Sequence, residues 1–152
     1  MTALSSAGIS VEVPDDWEGN ITGGGFPLLA HGGRQPTVLH LASFPLPSQR
    51  GSFGSGAVEQ MSNQDVFITL FEYGPESANT PLFSTPGIPQ DLDTQDFDRH
   101  ALQHAVHGQS GLQRFFTHRD RAFCLYVVLG SHIDRADLVP SVNAVLRTLA
   151  IS

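Results

Sequence analysis

Three of the chain's seven histidines fall within eight positions, in Arg99-His100-Ala101-Leu102-Gln103-His104-Ala105-Val106-His107-Gly108, a density that raises the question of a metal centre. On a helix, His100, His104 and His107 would lie within about 60° of one another around the axis and could share an ion. On a strand, His100 and His104 would share a face but stand about 13 Å apart at ~3.3 Å per residue, with His107 pointing the other way. Leu102 and Val106 share a face in the strand register, Gly108 ends the segment, and two apolar runs follow it. A strand opening a three-strand meander is therefore expected, and a metal or small-ligand cleft at the three histidines is the alternative. A zinc-protease motif also needs a glutamate directly after its first histidine, and Ala101 stands there.

The other candidates for chemistry fail on spacing. Residues 51 to 56 read Gly-Ser-Phe-Gly-Ser-Gly. A nucleophile elbow around Ser55 needs glycines where Phe53 and Ala57 stand. A phosphate loop needs lysine and a hydroxyl residue where Ala57 and Val58 stand. The dinucleotide fingerprint has the wrong glycine order and no strand leading into a long helix. A turn is the remaining reading. All eight basic residues are arginine, so a lysine Schiff base, a phosphate-loop lysine and a Ser-Lys dyad are excluded outright. Cys124, the only cysteine, lies in Ala122-Phe123-Cys124-Leu125-Tyr126-Val127-Val128, where a small buried hydrophobe is expected, and no internal disulfide can form. Neither a cofactor nor a catalytic residue is called for.

Composition bounds the rest. At 152 residues and 40% hydrophobic content, one domain over residues 1-152 with a sizeable core is expected. A net charge of -7 opposes binding to nucleic acid or to anionic lipid. The segment 1 to 14 carries neither a basic leader nor a long apolar run, and no spanning segment follows it, so a cytoplasmic location without membrane insertion is expected. Asn20-Ile21-Thr22 matches a glycosylation acceptor, which has no meaning on that route.

The elements that must position any site can be read from periodicity. Ile9, Val11 and Val13 alternate with polar residues as far as Pro14, and a second short strand over 17 to 21 is expected to pair with them as a hairpin. Glycine and proline mark 23 to 36 as an excursion whose Phe26, Leu28 and Leu29 could fold back on the core. A strand over 37 to 44 follows, in which His40 is read as a satisfied core histidine. A short helix near 55 to 61 leads into a central strand over 65 to 73, apolar on both faces, which calls for a layer on each side. After the histidine stretch, two strands flank His118-Arg119-Asp120-Arg121 as a hairpin. Leu138, Val142, Val145, Leu146 and Leu149 then mark one face of a closing helix, with Asp137 as its cap and Pro140 in its first turn. Replacing Leu146 with aspartate is expected to unfold the domain.

This order resembles the Mog1/PsbP-like fold: paired N-terminal strands opened by Ile9-Ser10-Val11-Glu12-Val13-Pro14 with Trp17 nearby, a helix before a central strand, a meander, and a closing amphipathic helix. Val66-Phe67-Ile68-Thr69-Leu70-Phe71-Glu72-Tyr73-Gly74-Pro75-Glu76 is also similar to a stretch in small proteins of high-GC bacteria. The resemblance implies an α+β sandwich, a central antiparallel sheet of about six strands covered by helices. It also implies a non-enzymatic role as a protein-binding or adaptor module; a homo-oligomer is a separate expectation, should the phenylalanines of the long loop be exposed. It carries over no individual functional residue. The long proline-rich and acidic region from 75 to 97 is the expected contact surface, through Phe83, Ile88 and Phe97 with Glu72 and Tyr73 beside it.

Overall fold

A computed structural model describes residues 1-23 and 36-152 of the chain. The excursion expected over 23 to 36, with Phe26, Leu28 and Leu29, lies outside the described residues for all but its two ends. The architecture is α+β, mostly antiparallel sheet with a single α-helix among the described residues. The strands are β1 (Thr2–Ser6), β2 (Ile9–Val13), β3 (Glu18–Thr22), β4 (Val38–Ala42), β5 (Val66–Glu72), β6 (Ser110–His118), β7 (Arg121–Leu129) and β8 (Ala150–Ile151), and the helix α1 spans Arg135–Leu146. They form a three-stranded sheet in the order β1-β2-β8 and a five-stranded sheet in the order β3-β4-β5-β7-β6.

The N-terminal pairing differs from the expected one. β2 pairs with β1, not with β3, and the two lie in different sheets. The signal for β1 is the two-residue turn Ala7-Gly8, both at positive φ (53° and 77°), the geometry whose twist matches a tight hairpin. Pro14 then closes β2, and a turn in which the Trp17 N–H donates to the Pro14 carbonyl sends the chain into the second sheet. The sheets approach closely at Gly19, where a Cβ would come within 2.9 Å of both Leu41 and Val13.

The central strand matches its sequence. Val66, Ile68 and Leu70 of β5 face one apolar cluster and Phe67 faces another. The first cluster gathers one face of the five-stranded sheet with β2, β8 and α1, whose Leu138, Val139, Val142, Val145 and Leu146 are buried. Burying such side chains stabilises by about 1.5–3 kcal/mol each. The other face is covered by the chain between β4 and β5 and by Leu102 and Val106, with no α-helix on it among the described residues. Of the expected layer on each face and cover of helices, the described residues supply one α-helix on one face and irregular chain on the other. The helix expected near 55 to 61 is a single 3-10 turn, Val58–Gln60, after Gly54 and Gly56 at positive φ (95° and 89°).

The β6–β7 hairpin is as expected, turned by Arg119 and Asp120 at positive φ (52° and 60°). The closing helix begins one turn earlier than the apolar spacing suggested. Asp134 is its N-cap position and makes no side-chain cap bond, Asp137 lies in the first turn, and Pro140 sits inside the helix. Leu149 is buried beyond the helix end, where the chain extends into β8 against β2.

The region from 75 to 97 is folded onto the sheet. Three 3-10 turns, Pro75–Ser77, Pro81–Phe83 and Thr94–Asp96, punctuate it, the last held by a capping box between Asp93 and Asp96. It straps the outer edge of β6: the Thr117 N–H donates to the Thr85 carbonyl and the Gly87 N–H to the Thr117 carbonyl. Asp98 and Gly111 bridge the same edge further along.

Candidate functional site

The histidine stretch is not a strand. A 3-10 turn, Arg99–Ala101, carries His100, and the bend and turn after it carry His104 and His107, all three exposed to solvent, so the expected third strand of the meander does not form. Local hydrogen bonding explains this: the Asp98 carboxylate accepts the His100 N–H at 2.7 Å and closes a turn. Leu102 and Val106 pack inward, and the histidines are what remains on the outside. Among the described residues, no group of three His, Cys, Asp or Glu side chains is placed to hold a metal.

The residues of the expected contact surface divide between two faces. Glu72 lies on the β5 face that looks toward the three-stranded sheet and forms a bidentate pair with Arg121, 2.8 Å on each side. Ile88 and Phe97 belong to the cluster on that same face, with Phe97 only 2% exposed. Tyr73 and Phe83 come together on the opposite side, ring centroids 5.1 Å apart. Phe83 is itself 5% exposed and forms the floor there.

What gathers around Tyr73 is a strip of aromatic rings on the outer face of the five-stranded sheet. The registers place Val38, Phe71, Cys124 and Phe115 side by side across β4, β5, β7 and β6. Phe71 stacks on Phe53 at 5.2 Å and tilts against Tyr73 at 5.0 Å, and Tyr73 and Phe115 both contact Phe83. Phe53, Phe71, Tyr73 and Phe115 are each half-buried. Beside Phe83, Leu82 points outward with 61% of its surface exposed.

A polar cleft of about 390 Å³ adjoins the strip, lined by Asn20, Thr22, Val38, His40, Ser48, Arg50 and Ser52. At its base His40 is pinned on both ring nitrogens. Nδ1 accepts from Arg50 Nε at 2.8 Å, and Nε2 lies 2.8 Å from the Ser52 carbonyl oxygen. A guanidinium can only donate and a carbonyl only accept, so the ring is the neutral tautomer protonated at Nε2. Burial pushes its pKa below the ordinary value, with the Ser52 carbonyl opposing and the Arg50 charge reinforcing the shift. Thr69 Oγ1 donates to the same Ser52 carbonyl at 2.9 Å. With both nitrogens engaged, His40 is a fixed support, not a proton carrier.

One further pair has catalytic residue types. Ser110 Oγ and His132 Nδ1 are 2.9 Å apart. Ser110 is wholly buried, so no substrate can reach its hydroxyl.

The sequence contained part of the strip's signal. Phe71 and Tyr73 stand two residues apart, at the end of β5 and just beyond it, and Phe115 lies in a run of two phenylalanines; Phe53 and Arg50 reach the site only through non-local packing. Comparison with family models, with curated proteins and with solved structures finds no match.

Proposed function

We propose that the protein acts by binding another protein, as an adaptor and not as a catalyst, and that the aromatic strip is its docking surface. One observation supports the reading: four half-buried rings, Phe53, Phe71, Tyr73 and Phe115, adjoin on an outer sheet face. Rings offer large contact area while freezing only two side-chain torsions each, which is why they anchor protein interfaces. The resemblance to Mog1/PsbP-like sandwiches, whose members mostly bind protein partners, points the same way. The partner on this reading is a protein segment that lays an apolar side chain on the strip, in a cytoplasmic setting where Cys124 stays a free thiol.

A photo-crosslinking phenylalanine analogue at position 115, expressed in the native host, tests this against the same analogue at position 133. Ile133 is 84% exposed, so a merely sticky surface would crosslink there at least as well. A single abundant adduct at 115 and none at 133 is the expected result. Equal labelling at both, or adducts only with further copies of this chain, would sink the adaptor reading.

A further inference from the structure

The cleft beside the strip has a charge that the chain itself does not neutralise. Arg50 is anchored by three contacts: Nε to His40 Nδ1 at 2.8 Å, Nη1 to the Pro47 carbonyl at 2.6 Å and Nη2 to Asn20 Oδ1 at 3.5 Å. None of these partners is an anion, because His40 is neutral. Among the described residues no carboxylate lies within 4 Å of the guanidinium, and residues 24 to 35 contain neither Asp nor Glu. Glu18, two residues from Asn20 on the same strand, is engaged by the Leu46 N–H at 2.9 Å. A guanidinium has five N–H groups, so each Nη keeps one beyond those already donated. These sit in a cleft also lined by the hydroxyl residues Thr22, Ser48 and Ser52. In a chain with fifteen acids and eight bases, a half-buried, preorganised and unneutralised arginine is a built receptor for an anion.

The apolar and cationic subsites are immediate neighbours. Ser52 of the cleft precedes Phe53 of the strip, and Val38 of the cleft is the cross-strand partner of Phe71. Cross-strand partners stand about 5 Å apart. A ligand that fills both neighbouring subsites is best served by an anionic and an apolar group carried close together. A chain's last residue carries them so, because its carboxylate and its side chain share one Cα; an internal Asp or Glu does not. A single cation also matches a monoanion better than a doubly charged phosphate. We propose that the cleft and strip together bind the C-terminal residue of a partner chain, with Arg50 taking the carboxylate and Phe53 and Phe71 taking an apolar side chain. This rests on the strip being the docking surface.

N-acetyl-phenylalanine and N-acetyl-phenylalanine amide, titrated into the isotopically labelled protein and followed by amide NMR shifts, separate the two readings. The acid is expected to bind saturably with about millimolar affinity, shifting residues 48 to 53, Asn20 and Phe71, and the amide about tenfold more weakly. Arg50→Gln should abolish the preference for the acid, and Arg50→Lys should retain part of it. The acid-against-amide comparison on the unaltered protein stands even if those variants fail to fold. Equal binding of acid and amide at Phe53 and Phe71 would overturn the carboxylate site while leaving the docking strip in place. Acid-selective shifts confined to the cleft, or no saturable shift with either probe, would overturn the paired site altogether.

Discussion

Cys124 lies between Phe71 and Phe115 in the outer-face register, directly beneath the strip, and burial pushes its thiol up to about 12. The thiolate is the reactive form. Ellman's reagent at about pH 8 should therefore leave Cys124 unmodified in the folded protein and titrate it fully in denaturant; prompt native reaction would mean that the strip opens. His40 makes a prediction with a sign. The folded protein holds it below its ordinary value of 6.5, so on acidification the unfolded chain takes up its proton first. Its contribution to stability is complete above that value and is lost as pH falls from there through the lower folded pKa. His132, held low by burial and by Arg135 and Arg99 against the opposing Asp98, adds a loss of the same sign. Urea midpoints measured from about pH 7.5 down to about pH 5 should fall, and the slope should be shallower in His40→Gln. His40 was readable from sequence as a satisfied core histidine because it sits mid-strand. Its partner Arg50, ten residues away across a glycine- and proline-rich connection, was not readable from the spacing.

The strap along β6 is held by one side chain in addition to its backbone bonds. Thr117 Oγ1 donates to the Phe83 carbonyl at 2.6 Å and accepts the Asn79 N–H at 3.0 Å, so it holds the loop that supports Tyr73 from below. Thr117→Val keeps the shape and removes both bonds, leaving two backbone groups unpaired, at a cost of about 1–3 kcal/mol. Faster hydrogen exchange over residues 79 to 87, with α1 still protected, is the expected signature. Leu146→Asp should abolish folding outright, since the side chain is 1% exposed and a carboxylate there has no partner; Leu146→Ala should cost about 2–5 kcal/mol in urea denaturation. At this scale the sequence was most legible where period and length agree, in β5, in the β6–β7 hairpin and in α1. It was least legible where glycine, proline and Asx turns break the chain. The histidine stretch illustrates this: the shared face of Leu102 and Val106 was read as a strand pattern, but Asp98 closes a turn that pre-empts the strand, and the two side chains pack against the outer-face cluster from turns instead. β1, polar apart from Ala3 and Leu4, lacks the alternation that marks a strand and is defined by its turn and its pairing with β2.

Across the whole molecule, one arginine links the two sheets. Arg121 of β7 pairs with Glu72 of β5 and also donates to the carbonyls of Ala7 at 2.9 Å and Ser152 at 3.1 Å, joining the β1–β2 turn and the β8 end to the central strands. Arg121→Ala removes the donor to all three and strands a half-buried carboxylate, so a loss of about 2–4 kcal/mol in chemical denaturation is expected. Glu72→Gln, which keeps an acceptor, should lose less. The two-sheet division itself was not visible in the sequence, because Gly19, where the sheets touch, reads as one more alternating position of the short strand over 17 to 21 and not as a point of close approach. The pairing of Ile9 with Ile151 has a consequence in time. Those residues are separated by nearly the whole described chain, so closing that ladder incurs most of the loop entropy that the topology can impose. The β1–β2 hairpin should therefore form early as a local unit yet remain loose, and its exchange protection should arise only in the slowest refolding phase, when β8 arrives.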